Sequence, residues 1–184
     1  MKYIDIDLKA QSFELLFPQD RIEQRIRELG RRISQDYTGQ NLVILGVLKG
    51  CFIFMADLVR TITVPFMVEF ISADSYGEAM NPGQVILSGG PVKSLKGRHV
   101  LLLEGVVDTG RTALTVMGAL KRLEPSSVEI VSLLNKVSRR EVHLDVKYSG
   151  FDVGDDFVIG YGLDHNQLYR NLPFIGKIID KKKG

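Results

Sequence analysis

Cysteine and tryptophan are scarce in this sequence: Cys51 stands alone among 184 residues, and there is no tryptophan. A single cysteine excludes an internal disulfide framework and favours a reducing compartment, in which a buried apolar thiol is its ordinary role. No apolar stretch is long enough to cross a bilayer, and the opening MKYIDIDLKA lacks the apolar core of a signal peptide. We therefore expect a cytoplasmic protein with no membrane partner.

A large excess of either charge is also missing. The 24 basic and 22 acidic side chains give a formal net charge of +2, so the chain lacks the broad basic surface of a nucleic-acid coat protein. We expect no nucleic-acid partner and favour a small molecule. With 45% hydrophobic residues, the chain can bury one sizeable core but not two, so residues 1–184 are predicted to form a single domain.

Apolar runs and helical patterns alternate along the chain. A helix capped by Asp20 is predicted from Ile22, Ile26, Leu29 and Ile33, which recur at three- and four-residue spacing. The other predicted elements are strands at 41–48, 65–72, 85–87, 99–106 and 127–136, and helices packed through Phe52, Met55 and Val59 and through Ala113, Val116, Met117 and Leu120. This alternation indicates an α/β fold with a mostly parallel sheet, in which ligands bind beyond the carboxyl ends of the strands.

Residues 73–84 interrupt this order. They are rich in turn formers and poor in core residues, which predicts a long, mobile loop. Long loops inside compact domains are usually functional. We therefore treat this loop as part of a candidate site.

The stretch 101–114, LLLEGVVDTGRTAL, places an acid, glycines and hydroxyls between a buried strand and a helix. Gly110 permits a tight turn, so Thr109, Thr112 and successive backbone amides can converge on a phosphate at the helix N-terminus. Asp108 is better suited to hold a proton, a magnesium ion or a sugar hydroxyl, because two anions repel. The alternative is an ordinary helix cap made by Asp108 or Thr109, with Glu104 merely at a strand end.

The strand, its acid and VVDTGRT resemble the phosphoribosyl-diphosphate binding motif of the type I phosphoribosyltransferases. Other segments, in matching order over nearly the whole chain, resemble the hypoxanthine-guanine branch: VLKG, SYG, SLLNK, DFVIGYGLD and YRNLPFIG. The resemblance implies the type I phosphoribosyltransferase fold, a mostly parallel twisted sheet flanked by helices with a small hood formed by the terminal segments. It also implies a homodimer or homotetramer.

The activity that the resemblance implies is purine salvage. A 5-phosphoribosyl group would pass from 5-phosphoribosyl 1-diphosphate to hypoxanthine or guanine, giving IMP or GMP and pyrophosphate, with Mg²⁺ as cofactor. The 5'-phosphate and ribose site would comprise Glu104, Gly105, Asp108, Thr109, Gly110, Arg111 and Thr112. Leu48, Lys49, Gly50 and Arg170 would bind pyrophosphate, in many relatives with a cis peptide bond before the lysine.

On the purine side, the resemblance makes Asp108 the general base near N7 and Lys136 the donor to O6. Such a donor favours hypoxanthine or guanine over adenine, which presents an amine at that position. Phe157 would stack on the base, Val158 would contact it through its backbone, and Asp164 would lie nearby. Glu104 and Asp164 would meet magnesium, and Ser75 and Tyr76 would form the tip of the closing loop.

Each of these residues also has an ordinary structural interpretation. Lys49 and Lys136 suit exposed surface positions, and Phe157 suits a core position. Arg170 could serve as a structural ion-pair partner, and the dipeptide at 75–76 as a simple turn.

Gly105 departs from the family pattern, which ordinarily has two adjacent acids where this chain has Glu104 and Gly105. Loss of the second acid removes acceptors for the ribose hydroxyls, at an expected cost of about 1 to 3 kcal/mol. We therefore expect weaker binding of the activated sugar, and Gly105→Asp is expected to improve it. Two other functions stay open: an RNA-binding regulator built on the same fold, and a weakly active nucleotide-binding paralogue.

Overall fold

The computed structural model describes residues 13–75, 85–89 and 94–179. Its elements in chain order are β1 (Phe13–Phe17), α1 (Gln19–Asp36), β2 (Leu42–Leu48), α2 (Phe52–Val59), β3 (Phe66–Ser75), β4 (Val85–Gly89), β5 (His99–Val107), α3 (Arg111–Lys121), β6 (Ser127–Asn135), a short 3-10 helix (Val137–Arg139), β7 (Tyr148–Asp152), β8 (Val158–Ile159) and β9 (Ile175–Ile178).

The main sheet contains six strands in the order β4-β3-β2-β5-β6-β7. Strands β2, β3, β5, β6 and β7 pair in parallel, and within the described part of this sheet only the pairing of β4 with β3 is antiparallel. The predicted α/β fold with a mostly parallel sheet is confirmed. Because parallel strands end at one edge, the residues that follow β2, β5 and β6 converge there.

Successive residues of the central strands pack into two different cores. In β2, Ile44 packs with helices α1 and α2, whereas its neighbours Val43 and Leu45 pack with α3. Side chains alternate across a strand, so a continuous apolar run is buried on both faces when helices cover both. The two helical layers hold the strand ends in place.

A second, smaller sheet has the order β1-β9-β8 and is entirely antiparallel. We call this sheet, together with the chain between β8 and β9, the hood. It joins segments from near both ends of the described chain, as the resemblance implied. Strands β1 and β9 were not assigned from the residue pattern.

Several local predictions differ from the structure. Helix α1 begins at Gln19 with Pro18 at the capping position, so Asp20 lies in the first turn and is not the cap. Phe52 is 43% exposed and does not pack into the core, whereas Phe54 and Met55 do. Residues 73–75 continue strand β3 and pair with β4, so they are not part of a loop.

Two other predictions are that Cys51 is a buried apolar thiol and that no stretch is long enough to cross a bilayer. Cys51 is fully buried, and burial together with the nearby charge of Glu104 raises the pKa of its thiol to about 12, as suits an inert apolar thiol. Among the residues described, no helix combines the length and the apolar character needed to cross a membrane. Tyr76 lies outside the described residues.

Candidate active site

The loop after β5 forms the floor of a cavity of about 170 Å³ at the carboxyl edge of the sheet. Gly110 has a φ of +85°, a left-handed conformation that favours glycine, and helix α3 starts at the next residue. We call residues 108–112 the phosphate loop, after the role that the sequence predicts for them. The cavity is lined by Val47, Leu48, Gly50, Ala73, Glu104, Val106, Val107, Asp108, Thr109, Gly110, Thr112 and Ala113.

Asp108 is held by two cations from the chain that follows β6. Lys136 Nζ donates to Asp108 Oδ2 at 3.1 Å, and Arg139 Nε donates to Oδ1 at 2.7 Å. Burial by itself would raise the pKa of Asp108, but these hydrogen bonds outweigh it and hold the pKa below its ordinary value. The carboxylate therefore stays ionised and does not cap helix α3, which has no side-chain cap at Gly110.

Lys136 is buried, with only 5% of its surface exposed. The prediction that it could be an ordinary exposed lysine is wrong, because it follows β6 directly and points along the strand end toward Asp108. A buried ammonium needs a partner, and Asp108 supplies it. An acceptor and a donor thus lie side by side at the cavity.

Glu104 lines the same cavity near the end of β5. Burial raises the pKa of its carboxyl to about 8. Within the described residues no donor or cation pairs with it, in contrast to Asp108. This acid is thus available to a ligand or ion that enters the cavity.

The backbone of the turn after β2 closely approaches the backbone of two glycines, Gly105 and Gly162. The peptide bond between Leu48 and Lys49 is cis, and Lys49 is exposed. A Cβ built on Gly105 would lie 2.5 Å from the carbonyl oxygen of Gly50, and one built on Gly162 would lie 2.6 Å from the same oxygen. Only residues without a Cβ permit this approach.

This contact bears on the expectation that Gly105→Asp improves binding of the activated sugar, which stays a prediction. An aspartate at position 105 would have to displace the Gly50 backbone before its carboxylate could reach a ligand. Gly105 is therefore accounted for by packing against the turn after β2.

The hood supplies a second group of predicted residues. Val158 is buried, whereas Phe157 is 54% exposed and meets the ring of His165 edge to face at 5.3 Å, so Phe157 is not a core residue. Asp164 pairs with Arg170 at 2.7 Å, and Arg170 also donates to the carbonyl of Gly162 at 2.8 Å. The alternative structural role of Arg170 as an ion-pair partner is therefore observed.

Thr109 lines the cavity, whereas two other predicted positions, Arg111 and Ser75, are not among the lining residues. Arg111 is exposed and forms an ion pair with Glu141 at 2.6 Å. Thr109 Oγ1 accepts a long hydrogen bond of 3.4 Å from the amide of Arg111. Ser75 ends strand β3 opposite Val85.

Residue pattern did not identify Arg139 and Arg140 as candidates. Arg139 contacts Asp108, and Arg140 packs beneath Gly110, with its Cδ 2.9 Å from the place of a Cβ on that glycine. The available signal was their position one turn after Lys136 in SLLNKVSRR, since residues three apart in a helical turn lie on one side.

Comparison with known proteins agrees with this geometry. Residues 14–166 match the model of the phosphoribosyl transferase domain family. The chain belongs to this family. Among its relatives, the hypoxanthine phosphoribosyltransferase of Escherichia coli strain K12 is 43% identical over 169 residues, covering 90% of this chain and 95% of the relative. The hypoxanthine-guanine phosphoribosyltransferase of Dictyostelium discoideum is 42% identical over 172 residues, covering 91% and 96%.

A solved structure extends the match to the fold. The crystal structure of a hypoxanthine phosphoribosyltransferase from Staphylococcus aureus superposes with a TM-score of 0.90 at 34% identity, covering 96% of this phosphoribosyltransferase chain and 97% of that chain. The type I phosphoribosyltransferase fold implied by the resemblance is therefore confirmed.

Proposed function

We propose that this phosphoribosyltransferase moves the 5-phosphoribosyl group of 5-phosphoribosyl 1-diphosphate onto a 6-oxopurine, hypoxanthine or guanine, in purine salvage. The observation that carries the proposal is the pair Asp108 and Lys136, a proton acceptor and a donor 3.1 Å apart beside the cavity. The relatives, named hypoxanthine and hypoxanthine-guanine phosphoribosyltransferase, support the same substrate class.

The phosphate loop suits the 5'-phosphate. It ends at the N-terminus of α3, where backbone amides lack partners within the helix and attract an anion. Thr109 and Thr112 add hydroxyl donors at the cavity wall. Glu104 and Gly105 would contact the ribose that follows the phosphate.

Asp108 acts as the general base. As the bond between ribose C1' and pyrophosphate breaks, the purine nitrogen bonds to C1', and the proton that the purine loses passes to the Asp108 carboxylate. The pyrophosphate leaves with the electron pair of the broken bond. The depressed pKa of Asp108 keeps this acceptor ionised before the purine arrives.

Lys136 selects the purine. Its ammonium donates to O6 of hypoxanthine or guanine, whereas adenine offers an amine and so no acceptor. Phe157, being exposed in the hood, is free to stack on the base, and the backbone of Val158 contacts its edge.

The turn Leu48 to Gly50 and Arg170 bind the pyrophosphate group. Lys49 is exposed and therefore free to meet an anion. Arg170 and Asp164 pair directly in this structure. Arg170 therefore reaches the pyrophosphate by leaving the Asp164 carboxylate and binding the ligand.

The donor set at the cavity fits Mg²⁺, an oxygen-seeking cation that proteins hold through few carboxylates. Glu104 fits best because its carboxylate has no partner among the described residues, and Asp164 becomes available when Arg170 turns to pyrophosphate. Bound Mg²⁺ would neutralise the charge of the diphosphate. We further propose a single domain over residues 1–184 and a cytoplasmic homodimer or homotetramer.

The test is nucleotide synthesis by the purified protein. Protein, Mg²⁺ and 5-phosphoribosyl 1-diphosphate are mixed with hypoxanthine, guanine, xanthine or adenine in separate reactions, with Mg²⁺ omitted in a parallel set. We expect IMP and GMP formation that requires Mg²⁺, and no AMP. A folded sample that turns over no base would contradict the proposal and favour a regulatory or binding role, whereas turnover of adenine would contradict the role of Lys136.

A further inference from the structure

The chain from Lys136 to Glu141, which we call the bracing segment, is attached to the phosphate loop by backbone hydrogen bonds. The amide of Lys136 donates to the carbonyl of Val107 at 3.0 Å, and the amide of Glu141 donates to the carbonyl of Thr109 at 3.0 Å. Both bonds span the base Asp108, one on each side of it. The bracing segment therefore has a fixed position relative to Asp108.

Arg139 lies between these two anchors. Its own amide donates to the carbonyl of Lys136 at 3.3 Å, which closes the short 3-10 helix and directs its side chain toward the loop. Its Nε donates to Asp108 Oδ1, while Lys136 holds the other oxygen, Oδ2. The two cations therefore do not compete for one acceptor.

A bound purine would change the contact of Lys136 with Asp108 but not that of Arg139. In the proposed reaction Lys136 turns toward the purine O6, so Asp108 would lose one of its two donors as the substrate binds. Arg139 has no such second duty at the base, and its planar guanidinium cannot be deprotonated. It can therefore keep Oδ1 occupied while Oδ2 turns to the purine.

We propose that Arg139 is a positioning residue for Asp108, holding Oδ1 in place so that the other carboxylate oxygen, Oδ2, faces the purine. This inference rests on the proposed function and adds to it a residue that touches the base and not the substrate. Its prediction is a change in the pH dependence of the reaction.

Three cations, all from the bracing segment, act on Asp108. Lys136 and Arg139 touch it directly, and the charge of Arg140 acts on it from beneath Gly110. Arg140 Nη2 donates to Asn135 Oδ1 at 2.5 Å. Arg139 in turn feels Asp155 and Glu141, and Glu141 is paired with Arg111. Glu104 lines the same cavity.

The sign of the effect follows from the contacts. Arg139 stabilises the ionised carboxylate, so removing it raises the pKa of Asp108. A general base works only when deprotonated, and the variant should therefore lose activity at higher pH than the wild type as the pH is lowered. The acid limb of kcat/KM for hypoxanthine moves upward in pH.

The experiment compares Arg139→Gln, Arg139→Lys and a matched control, Arg27→Gln. Arg27 is likewise an exposed arginine in an ion pair, 3.8 Å from Glu23 on α1, far from the site in the chain. For each protein kcat/KM for hypoxanthine is measured against pH at saturating 5-phosphoribosyl 1-diphosphate. Titration of the Asp108 carboxyl carbon is followed by NMR in the free protein, with Asp108→Asn used to assign the signal.

The expected result is an upward shift of both the kinetic limb and the NMR titration in Arg139→Gln, a smaller shift in Arg139→Lys, and none in Arg27→Gln. An Asp108 titration that is unchanged in Arg139→Gln would overturn the inference. So would an equal loss of activity at every pH together with a lower Tm, because that pattern indicates a general structural role. Absence of wild-type activity would count against the proposed function alone, since the NMR titration still tests Arg139.

Discussion

The two sides of the candidate site are built differently. On the sheet side, Asp108 is held by two side chains and its loop by backbone bonds from the bracing segment. On the hood side, the site rests on a two-residue strand, β8, on isolated bridges and on several residues with positive φ, and Phe157 is largely exposed. The Asp108 carboxylate, the proposed proton acceptor, is therefore held by fixed partners, whereas the ring of Phe157, the proposed purine-stacking surface, is open to solvent.

The two sides meet at one contact. The carbonyl of Gly50 lies against Gly105 at the end of β5 and against Gly162 in the hood. Leu163 packs there too, with its Cδ2 3.1 Å from the place of a Cβ on Gly105. A side chain at position 105 would therefore disturb both sides of the site at once.

Replacing the fixed base should have the largest effect. Asp108→Asn keeps the shape of the side chain but removes the proton acceptor, so kcat should fall about 10²- to 10⁴-fold, the usual contribution of a general base. The variant also leaves Lys136 without its anionic partner, and the Tm should fall. Steady-state kinetics below the Tm and thermal unfolding measure the two effects.

The matched control for this prediction is Asp20→Asn, because Asp20 lies in the first turn of α1. It should leave kcat unchanged. An Asp108→Asn protein that is folded and retains kcat close to the wild-type value would show that Asp108 does not accept the proton. The sheet side of the site would then not supply the general base.

The sheet side is also the part of the site that the residue pattern predicted best. Apolar runs predicted β2 and β5, and a strand-like pattern predicted β6, because strands covered by helices on both faces are apolar along most of their length. The pattern therefore predicts that the residues following those runs lie at one edge of the sheet. What the pattern left open was which cations would pair with Asp108, since that depends on how the chain after β6 folds back.

The hood was less predictable for physical reasons. Strands β1 and β9 are short, and β1 has exposed positions, so neither has a clear period of apolar residues. The resemblance supplied the hood and its residues, whereas the residue pattern did not. The sequence also does not show why position 105 is a glycine. Gly50 and Gly162 are distant from Gly105 in sequence and come close to it only in the folded chain.

Adding a side chain at the meeting point should have an intermediate effect. Gly105→Ala and Gly105→Asp both place a Cβ against the Gly50 carbonyl, and the backbone, not a flexible side chain, must give way. A strain of about 1.4 kcal/mol, within the usual range for overpacking, corresponds to a tenfold loss. We expect kcat/KM for 5-phosphoribosyl 1-diphosphate to fall about tenfold or more in both variants.

Gly118→Ala is the matched control, because a Cβ on Gly118 in α3 meets no atom within 4 Å. It should leave the kinetics unchanged and raise the Tm slightly, since alanine favours a helix over glycine. If Gly105→Asp instead binds the activated sugar more tightly than the wild type, the missing acid is a real deficit and the packing argument fails.

Truncating the open stacking surface should have the smallest effect. Phe157→Ala removes a ring that is 54% exposed, so the Tm should hardly change, whereas KM for hypoxanthine should rise about two- to tenfold from the loss of stacking. Leu168→Ala is the matched control, because Leu168 is an equally exposed apolar residue of the hood at 60%. An equal rise in KM for both variants would mean that the effect comes from disturbing the hood as a whole. Phe157 would then have no specific contact with the base. A rise confined to Phe157→Ala, with kcat retained, would mean that the hood binds the purine while the sheet side performs the chemistry.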